Sequence, residues 1–121
     1  MVLDLLRDGD DFPSRVAVIW MSQFLACFSE SQIVKILNRA RSGMDEKSTL
    51  YILEAFWDLQ QFKASAFSLV NTSLYFACIA NGNSKLYHSD EMKACAELAG
   101  LKLHKQTDGI GRGHTLLEYT L

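Results

Sequence analysis

The sequence contains little that would mark a disulfide-rich, metal-binding or nucleic-acid-binding protein. Its three cysteines are odd in number and form no C-x-x-C pair, which argues against both a disulfide framework and a zinc site. Twelve basic residues against 14 acidic residues leave a net charge of −2, so there is no basic field to neutralise phosphates. We therefore expect reduced thiols, a cytoplasmic location, no metal and no nucleic-acid partner.

The chain also lacks clear signals for export or for a membrane. Its start, "MVLDLLRDGDDFP", has neither the cationic start nor the long apolar stretch of a secretory signal. Residues 64–80 carry no formal charge over nearly the length of a spanning helix, but five of them are Ser, Asn or Thr. We therefore predict a buried or interface helix there, and no membrane partner.

What remains is a globular composition with alternating strand and helix patterns. Of the 121 residues, 49% are hydrophobic, which is enough for one domain with a modest core. Residues 15–21 form a continuous apolar run, typical of a parallel strand covered on both faces. Ser29 and Gln32 match a capping box that opens an amphipathic helix ending near Gly43. Residues 48–58 are the next predicted strand, which completes a right-handed βαβ unit.

The second half of the chain predicts two further helices and a hairpin. Residues 60–80 form a long helix that is apolar nearly all round, followed by a polar loop. Ser89 begins another helix, and Gly100 is placed to end it in the left-handed conformation. Two strands then flank residues 107–113, and so short a connection makes them antiparallel. We therefore predict an α/β fold whose sheet is mostly parallel, with one antiparallel strand near the C-terminus and helices on both faces.

The glycines and histidines offer few signals of chemistry. The glycines of segment 109–113 precede a strand rather than a helix, which favours a hairpin loop over a phosphate-binding loop. The histidines show no metal-ligand spacing. His104 and His114 fall in or beside the terminal strands, where a partly exposed structural role is expected. His88 lies in a polar loop, so it is a candidate acid or base.

Glu54 is the most informative charged residue. It lies at the C-terminal end of a predicted internal strand, where open α/β sheets place their ligand crevice. A carboxylate there either faces the crevice in a functional role or is rotated toward solvent. Burying a carboxylate without a hydrogen-bond partner would be costly. A carboxylate that faces the crevice should therefore have polar groups around it, whereas one that points to solvent needs none.

Three segments in this order resemble a known family: "WMSQFLACFSESQIVKIL", "LYILEAFWD" and "NGNSKLYHSDEM". They are similar to the C-terminal half of S-adenosylmethionine-dependent O-methyltransferases with the class I, Rossmann-like fold. The nearest likeness is to the plant small-molecule O-methyltransferases and their bacterial relatives, from about Asp4 to Leu121. The resemblance implies a partial Rossmann-like sheet and methyl transfer to the hydroxyl of a small molecule.

The resemblance also implies where the cofactor S-adenosylmethionine would bind. Phe28 stands where the family has an aromatic residue near the adenine, and Ser22 stands where it has a lysine near the cofactor. The pair Asp4 and Leu5 is similar to an acidic and apolar pair that borders the adenine. With Met21, which precedes Ser22, these residues form the expected cofactor-binding set.

The acceptor side departs from the family pattern at two positions, Ala26 and Leu86, the second of which replaces a glutamate of the family. Ala26 stands where the family has its general-base histidine, and Glu54 matches the glutamate that orients that base. Asn81 and Lys85 match the substrate-side asparagine and a basic position. The proton acceptor would then be His88, or a water held by Glu54, unless the nucleophile is already ionised.

The family's glycine-rich cofactor loop and its N-terminal dimerisation domain have no counterpart in this sequence. We therefore expect the chain to be the acceptor-side portion of a catalytic domain, inactive alone and forming homo-oligomers through unpaired apolar strands. One alternative is a non-catalytic remnant or interaction module that self-associates through the helix at 60–80. Another is a small nucleotide-binding or response module, which would need acidic or glycine-rich loops after its first strands.

Overall fold

The computed structural model describes residues 5–7, 12–60, 87–111 and 113–121. Its strands and helices follow in the order β1 (Val18–Ser22), α1 (Glu30–Ser42), β2 (Thr49–Ala55), α2 (Ser89–Leu98), β3 (Lys102–Ile110) and β4 (His114–Thr120). Short 3₁₀ helices follow β1 at Leu25–Cys27 and β2 at Trp57–Leu59. The α/β class predicted from the sequence is confirmed.

The four strands form one mixed sheet in the order β1-β2-β4-β3. β1 and β2 are parallel, whereas β4 pairs antiparallel with both β2 and β3. Among the described strands, β1, β2 and β3 thus run in one direction and only β4 opposes them, which agrees with one antiparallel strand near the C-terminus. The mostly parallel pairing is not confirmed, because one of the three strand pairs is parallel and two are antiparallel. The physical reason is that the β3–β4 hairpin folds back so that β4 lies between β2 and β3, which creates two antiparallel interfaces instead of one.

The two described α-helices pack against each other and share one core with the inward-facing strand residues. They therefore cover the same face of the sheet, which does not match the expectation of helices on both faces for the part of the chain that is described. The helix predicted at 60–80 lies outside the described residues. No described helix is long and apolar enough to cross a membrane.

Local sequence signals account for both ends of α1. The Ser29 Oγ accepts the Gln32 backbone N–H at 3.4 Å, and the Ser29 N–H donates to the Gln32 Oε1 at 3.0 Å. This is the predicted capping box, and the helix ends at Gly43 as expected. Its buried face is formed by Ile33, Ile36, Leu37 and Ala40.

Helix α2 is fixed at its start by the chain that follows β2. The Asp58 carboxylate accepts the Ser89 N–H at 2.7 Å and the Ser89 hydroxyl at 2.5 Å. Gly100 follows the helix with a φ of +82°, which confirms the predicted left-handed ending. Met92, Cys95 and Ala96 form the buried face of the helix.

Among the described strands, β1 lies at the edge of the sheet, and its residues alternate between buried and exposed. Ile19 and Met21 lie in the core, whereas Val18 and Trp20 are each 56% exposed. The prediction that this strand is covered on both faces is therefore wrong on the Val18 and Trp20 side. The apolar run predicts a strand correctly, but an apolar side chain can also remain on the surface, and no sequence pattern distinguishes the two cases.

Candidate functional site

The chain turns sharply where β1 ends, and residues 23–28, here named the β1 turn, connect that strand to α1. Gln23 has a φ of +49°, a backbone conformation that residues other than glycine seldom adopt. Its N–H donates to the Leu53 carbonyl of β2 at 2.8 Å. A 3₁₀ helix at Leu25–Cys27 follows. This turn therefore lies against the C-terminal end of β2.

The Glu54 side chain contacts the β1 turn from the buried face of β2. Its side chain is 4% exposed, and its Oε1 accepts the N–H of Leu25 at 3.0 Å and of Ala26 at 3.4 Å. Burial raises the pKa of the Glu54 carboxyl, and the backbone N–H groups of Ala26, Leu25 and Phe24 partly oppose that rise. The alternative of a carboxylate rotated toward solvent is therefore wrong.

The contact between Glu54 and Ala26 brings together two positions that the sequence resemblance links. Ala26 stands at the implied base position and Glu54 at the implied orienting position, and they meet through a backbone hydrogen bond. The methyl side chain of Ala26 can neither accept nor donate a proton. Any proton transfer at this turn must use another group.

His88 lies at the start of α2 and acts as its N-cap. Its Nδ1 accepts the Asp90 N–H at 3.1 Å and lies 3.6 Å from the Asp58 Oδ2. The ring also makes an edge contact with Trp57, with centroids 5.1 Å apart. These contacts tie His88 to the start of a helix, and its catalytic role stays a prediction.

The residues predicted to hold the cofactor lie in different environments. Met21 is buried in the core and Ser22 is exposed at the end of β1, while Leu5 is half-buried against the core. Phe28 is half-buried and packs edge-on against Phe24 with centroids 5.0 Å apart. Three further predicted residues lie outside the described residues: Asp4, Asn81 and Lys85.

The sequence interpretation missed a polar pair on the other side of the β1 turn. The Gln23 Nε2 lies 3.0 Å from the His114 Nε2, although 91 residues separate them in the chain. His114 is paired with Ala55 in the sheet, next to the pairing of Thr115 with Glu54. The sequence placed His114 at the start of a strand, but the pairing of that strand with β2 could not be read from it.

The described residues contain no group of three or more His, Cys, Asp or Glu side chains that could hold a metal ion. A groove of about 540 Å³ lies between α1 and α2 and is lined by three carboxylates, one serine and four apolar side chains. It is separate from the β1 turn. Its lining residues are Glu30, Ser31, Val34, Asp90, Glu91, Ala94, Cys95 and Leu98.

Solved structures share this fold, although no family model matches the sequence and no curated protein matches it significantly. The S-adenosylmethionine-dependent methyltransferase SibL in its apo form aligns with a TM-score of 0.79 and 15% identity, over 99% of this chain and 34% of that chain. An O-methyltransferase family 2 protein from Planctomyces limnophilus, in complex with apigenin, aligns with a TM-score of 0.77 and 21% identity, over 98% and 34%.

The same fold also occurs in a structure described as a pericyclic reaction enzyme, with a TM-score of 0.72 and 19% identity over 89% of this chain and 27% of that chain. The fold resemblance to O-methyltransferases predicted from the sequence is thus confirmed. This chain spans about a third or less of the length of the structures it matches. At these identities the likeness establishes the fold, and the chemistry has to be argued from the site.

Proposed function

We propose that this chain is the acceptor-side part of an S-adenosylmethionine-dependent methyltransferase that acts on the hydroxyl of a small molecule. The observation that carries the proposal is the buried Glu54 carboxylate, which binds the backbone of the β1 turn at Leu25 and Ala26. Such a contact fixes the turn at the carboxyl end of β2, where open α/β sheets bind ligands. Both SibL and the Planctomyces protein are methyltransferases of this fold, which supports the proposal.

The residues available for the cofactor fit an adenine-sized apolar ligand in part. Phe28 and Phe24 form a half-buried aromatic pair beside the β1 turn, and Leu5 is a half-buried apolar residue near the same core. When bound, S-adenosylmethionine supplies an electrophilic methyl group on a sulfonium centre. We propose that its tight binding needs residues beyond this chain, because no glycine-rich loop follows β1 or β2 in the sequence.

The chain's own contribution would be to position the acceptor. Displacement at a methyl carbon requires the attacking oxygen to be held close and in line with the leaving sulfur. Glu54 holds the turn through two backbone hydrogen bonds, so that turn can present the acceptor in one orientation. A loosened turn would misplace the hydroxyl, and misplacement of about 1 Å costs roughly 100-fold in rate.

The test is methyl transfer from radiolabelled S-adenosylmethionine to a panel of phenols, using the longest natural polypeptide that contains residues 1–121. We expect transfer by the unchanged protein and a loss of roughly 10- to 100-fold in kcat/KM for Glu54→Gln. The matched control is Glu46→Gln, because Glu46 is exposed in the loop before β2. The absence of transfer to every hydroxyl acceptor would contradict the proposal, as would equal rates for the two variants.

A second candidate function is a non-catalytic module that associates with itself. The specific observation in its favour is the edge strand β1, whose Val18 and Trp20 side chains are more than half exposed. The helix predicted at 60–80, which would serve the same role, lies outside the described residues. Association without methyl transfer would favour this candidate over the first.

A further inference from the structure

We propose that His114 accepts the proton of the acceptor hydroxyl and that Gln23 positions its imidazole ring, an inference that rests on the methyl-transfer function proposed above. Ala26 cannot accept a proton, so the reaction needs a base elsewhere on the β1 turn. Gln23 belongs to that turn, and its amide lies 3.0 Å from the His114 ring. Two other described titratable side chains, Glu54 and Tyr87, also hydrogen-bond to this turn, but both are buried, whereas His114 is half-buried and can be reached by a small molecule.

The backbone of Gln23 directs its side chain toward His114. Its φ of +49° lies in the left-handed region, which costs a residue other than glycine roughly 1 kcal/mol or more. The hydrogen bond from its N–H to the Leu53 carbonyl, at 2.8 Å, holds this conformation against β2. A strained residue held by its surroundings is a common feature of functional turns, because the strain fixes where the side chain points.

The pairing of β4 with β2 fixes the position of His114 in the sheet. Its Cα partner is Ala55 on β2, and the next pair along the ladder joins Glu54 with Thr115. Because successive strand residues point to opposite faces, Glu54 approaches the β1 turn from the buried face and His114 from the outer face. His114 is half-buried, so a small molecule can still reach its ring.

The hydrogen bond constrains the protonation state of the ring. With the Gln23 amide nitrogen toward the His114 Nε2, the amide N–H donates, so Nε2 carries a lone pair and the neutral ring carries its proton on Nδ1. That hydrogen bond occupies the Nε2 lone pair. A half-turn of the Gln23 amide presents its oxygen to an Nε2–H instead, and the neutral ring then carries its lone pair on Nδ1, free to accept a proton while Gln23 holds the ring.

The proposed step conserves charge and atoms. The acceptor O–H proton moves to the His114 Nδ1 while the oxygen's electron pair forms the bond to the methyl carbon. The methyl–sulfur bond of S-adenosylmethionine breaks, its electron pair stays on sulfur, and neutral S-adenosylhomocysteine leaves. The imidazolium of His114 then releases its proton to water. General-base catalysis of this kind contributes typically 10²- to 10⁴-fold in rate.

Among the described residues, Asp108 and Glu54 are charged neighbours of the adjacent Thr115, and Glu118 shares the outer face of β4 with His114. Asp108 on β3 accepts the hydroxyl proton of Thr115 at 3.1 Å. Glu54 on β2 pairs with Thr115 in the sheet, and its side chain lies on the buried face, opposite to that of His114. His88, by contrast, has its Nδ1 occupied by the backbone of α2 and lies beside Asp58. His104 is exposed in β3. These two histidines provide the comparison needed for a test.

The test compares kcat/KM and its pH dependence for His114→Gln, His88→Gln and His104→Gln in the longest natural polypeptide that contains this chain, with a phenol as acceptor. We expect a loss of about 10²- to 10⁴-fold for His114→Gln alone, together with loss of the acidic limb of the pH–rate profile. That limb disappears because a protonated ring at position 114 is what stops the reaction at low pH. His104→Gln is the matched control and should leave both rate and profile unchanged.

Gln23→Gly provides a second variant that keeps the backbone conformation, since glycine accepts a positive φ without strain. We expect it to lower kcat more than it changes KM while it retains the acidic limb, because the base is present but less well oriented. Full activity of His114→Gln, or a loss confined to His88→Gln, would overturn the inference and leave the methyl-transfer function intact. Failure of the unchanged protein to methylate any hydroxyl would contradict both the role of His114 and the proposed methyl-transfer function.

Discussion

At the scale of single residues, Glu54 decides how tightly the β1 turn is held. Its carboxylate is taken from water into the core, which disfavours the charged form, and it receives two backbone N–H groups in return. Burial is the larger influence, so the pKa of the carboxyl is raised above its ordinary value of 4.5. Stability must therefore depend on pH through this residue.

The sign of that dependence follows from where the proton binds more tightly. The folded state holds the Glu54 proton more tightly than the unfolded state, so the contribution of this carboxyl to stability is fully present below pH 4.5. It is lost as the pH rises through the raised pKa. Glu54→Gln keeps an oxygen acceptor but carries no charge, so this contribution to its stability does not change with pH. Between pH 4 and pH 8 the free energy of unfolding of the wild type should therefore fall relative to that of Glu54→Gln, by about 1.4 kcal/mol for each unit of pKa shift.

Urea unfolding of both proteins across that range measures the effect. Glu54→Ala is a useful companion, because it leaves the N–H groups of Leu25 and Ala26 without their acceptor and should cost about 1–3 kcal/mol. Glu46→Gln, at an exposed position, serves as the control. A stability difference between wild type and Glu54→Gln that stayed constant with pH would contradict the assignment.

At the scale of the secondary-structure elements, the start of α1 depends on a reciprocal pair of side-chain hydrogen bonds. Ser29 and Gln32 each bind the backbone of the other, which satisfies two N–H groups that the helix leaves unpaired. The carboxylate of Glu30 in the first turn also interacts favourably with the positive end of the helix. The cap therefore fixes where the β1 turn stops and the helix begins.

We expect Ser29→Ala to lower the free energy of unfolding by about 1 kcal/mol, since that is the usual loss when a Ser cap is replaced by Ala. Ser14→Ala, at an exposed position outside the helix, should change it by less than about 0.5 kcal/mol. Chemical denaturation of both variants measures the difference. A double-mutant cycle with Gln32→Ala should show coupling, and strict additivity would mean that the box does not act as a unit.

Signals of this local kind were readable from the sequence. The Ser29 cap, the left-handed Gly100 and the antiparallel β3–β4 hairpin each depend on a few neighbouring residues, and all three predictions are confirmed. The position of β4 between β2 and β3 was not readable, because strand order depends on contacts between distant segments. The Gln23–His114 pair was missed for the same reason, and the exposed face of β1 because apolar residues also occur on surfaces.

At the scale of the whole molecule, the β1 edge of the described sheet offers a surface for association. Among the described strands, β1 pairs with β2 alone, and its outer face carries Val18 and Trp20, with Trp20 packed against Tyr51 at 5.5 Å. An apolar edge strand with unpaired backbone groups offers a template for pairing with another chain. We propose that copies of this chain associate through that edge.

Light scattering across micromolar concentrations tests the proposal. Wild-type protein should be oligomeric, and Trp20→Lys should shift it toward monomer, because a charge on an edge strand opposes pairing. Leu98→Lys is the matched control, since Leu98 is also apolar and 75% exposed but lies on α2. A monomeric wild type, or equal effects of the two substitutions, would exclude the β1 edge as the interface.

The place of β4 has a consequence for how the molecule assembles. β4 follows the other described strands in sequence, yet it supplies a neighbour to both β2 and β3. Until residues 114–120 are in place, β3 has no strand partner and β2 has only β1. Completing the sheet therefore requires contacts between segments that are far apart in the chain, and such contacts slow folding. A nascent polypeptide that stops before residue 114 would expose the unpaired edges of β2 and β3, where other chains can pair and aggregate.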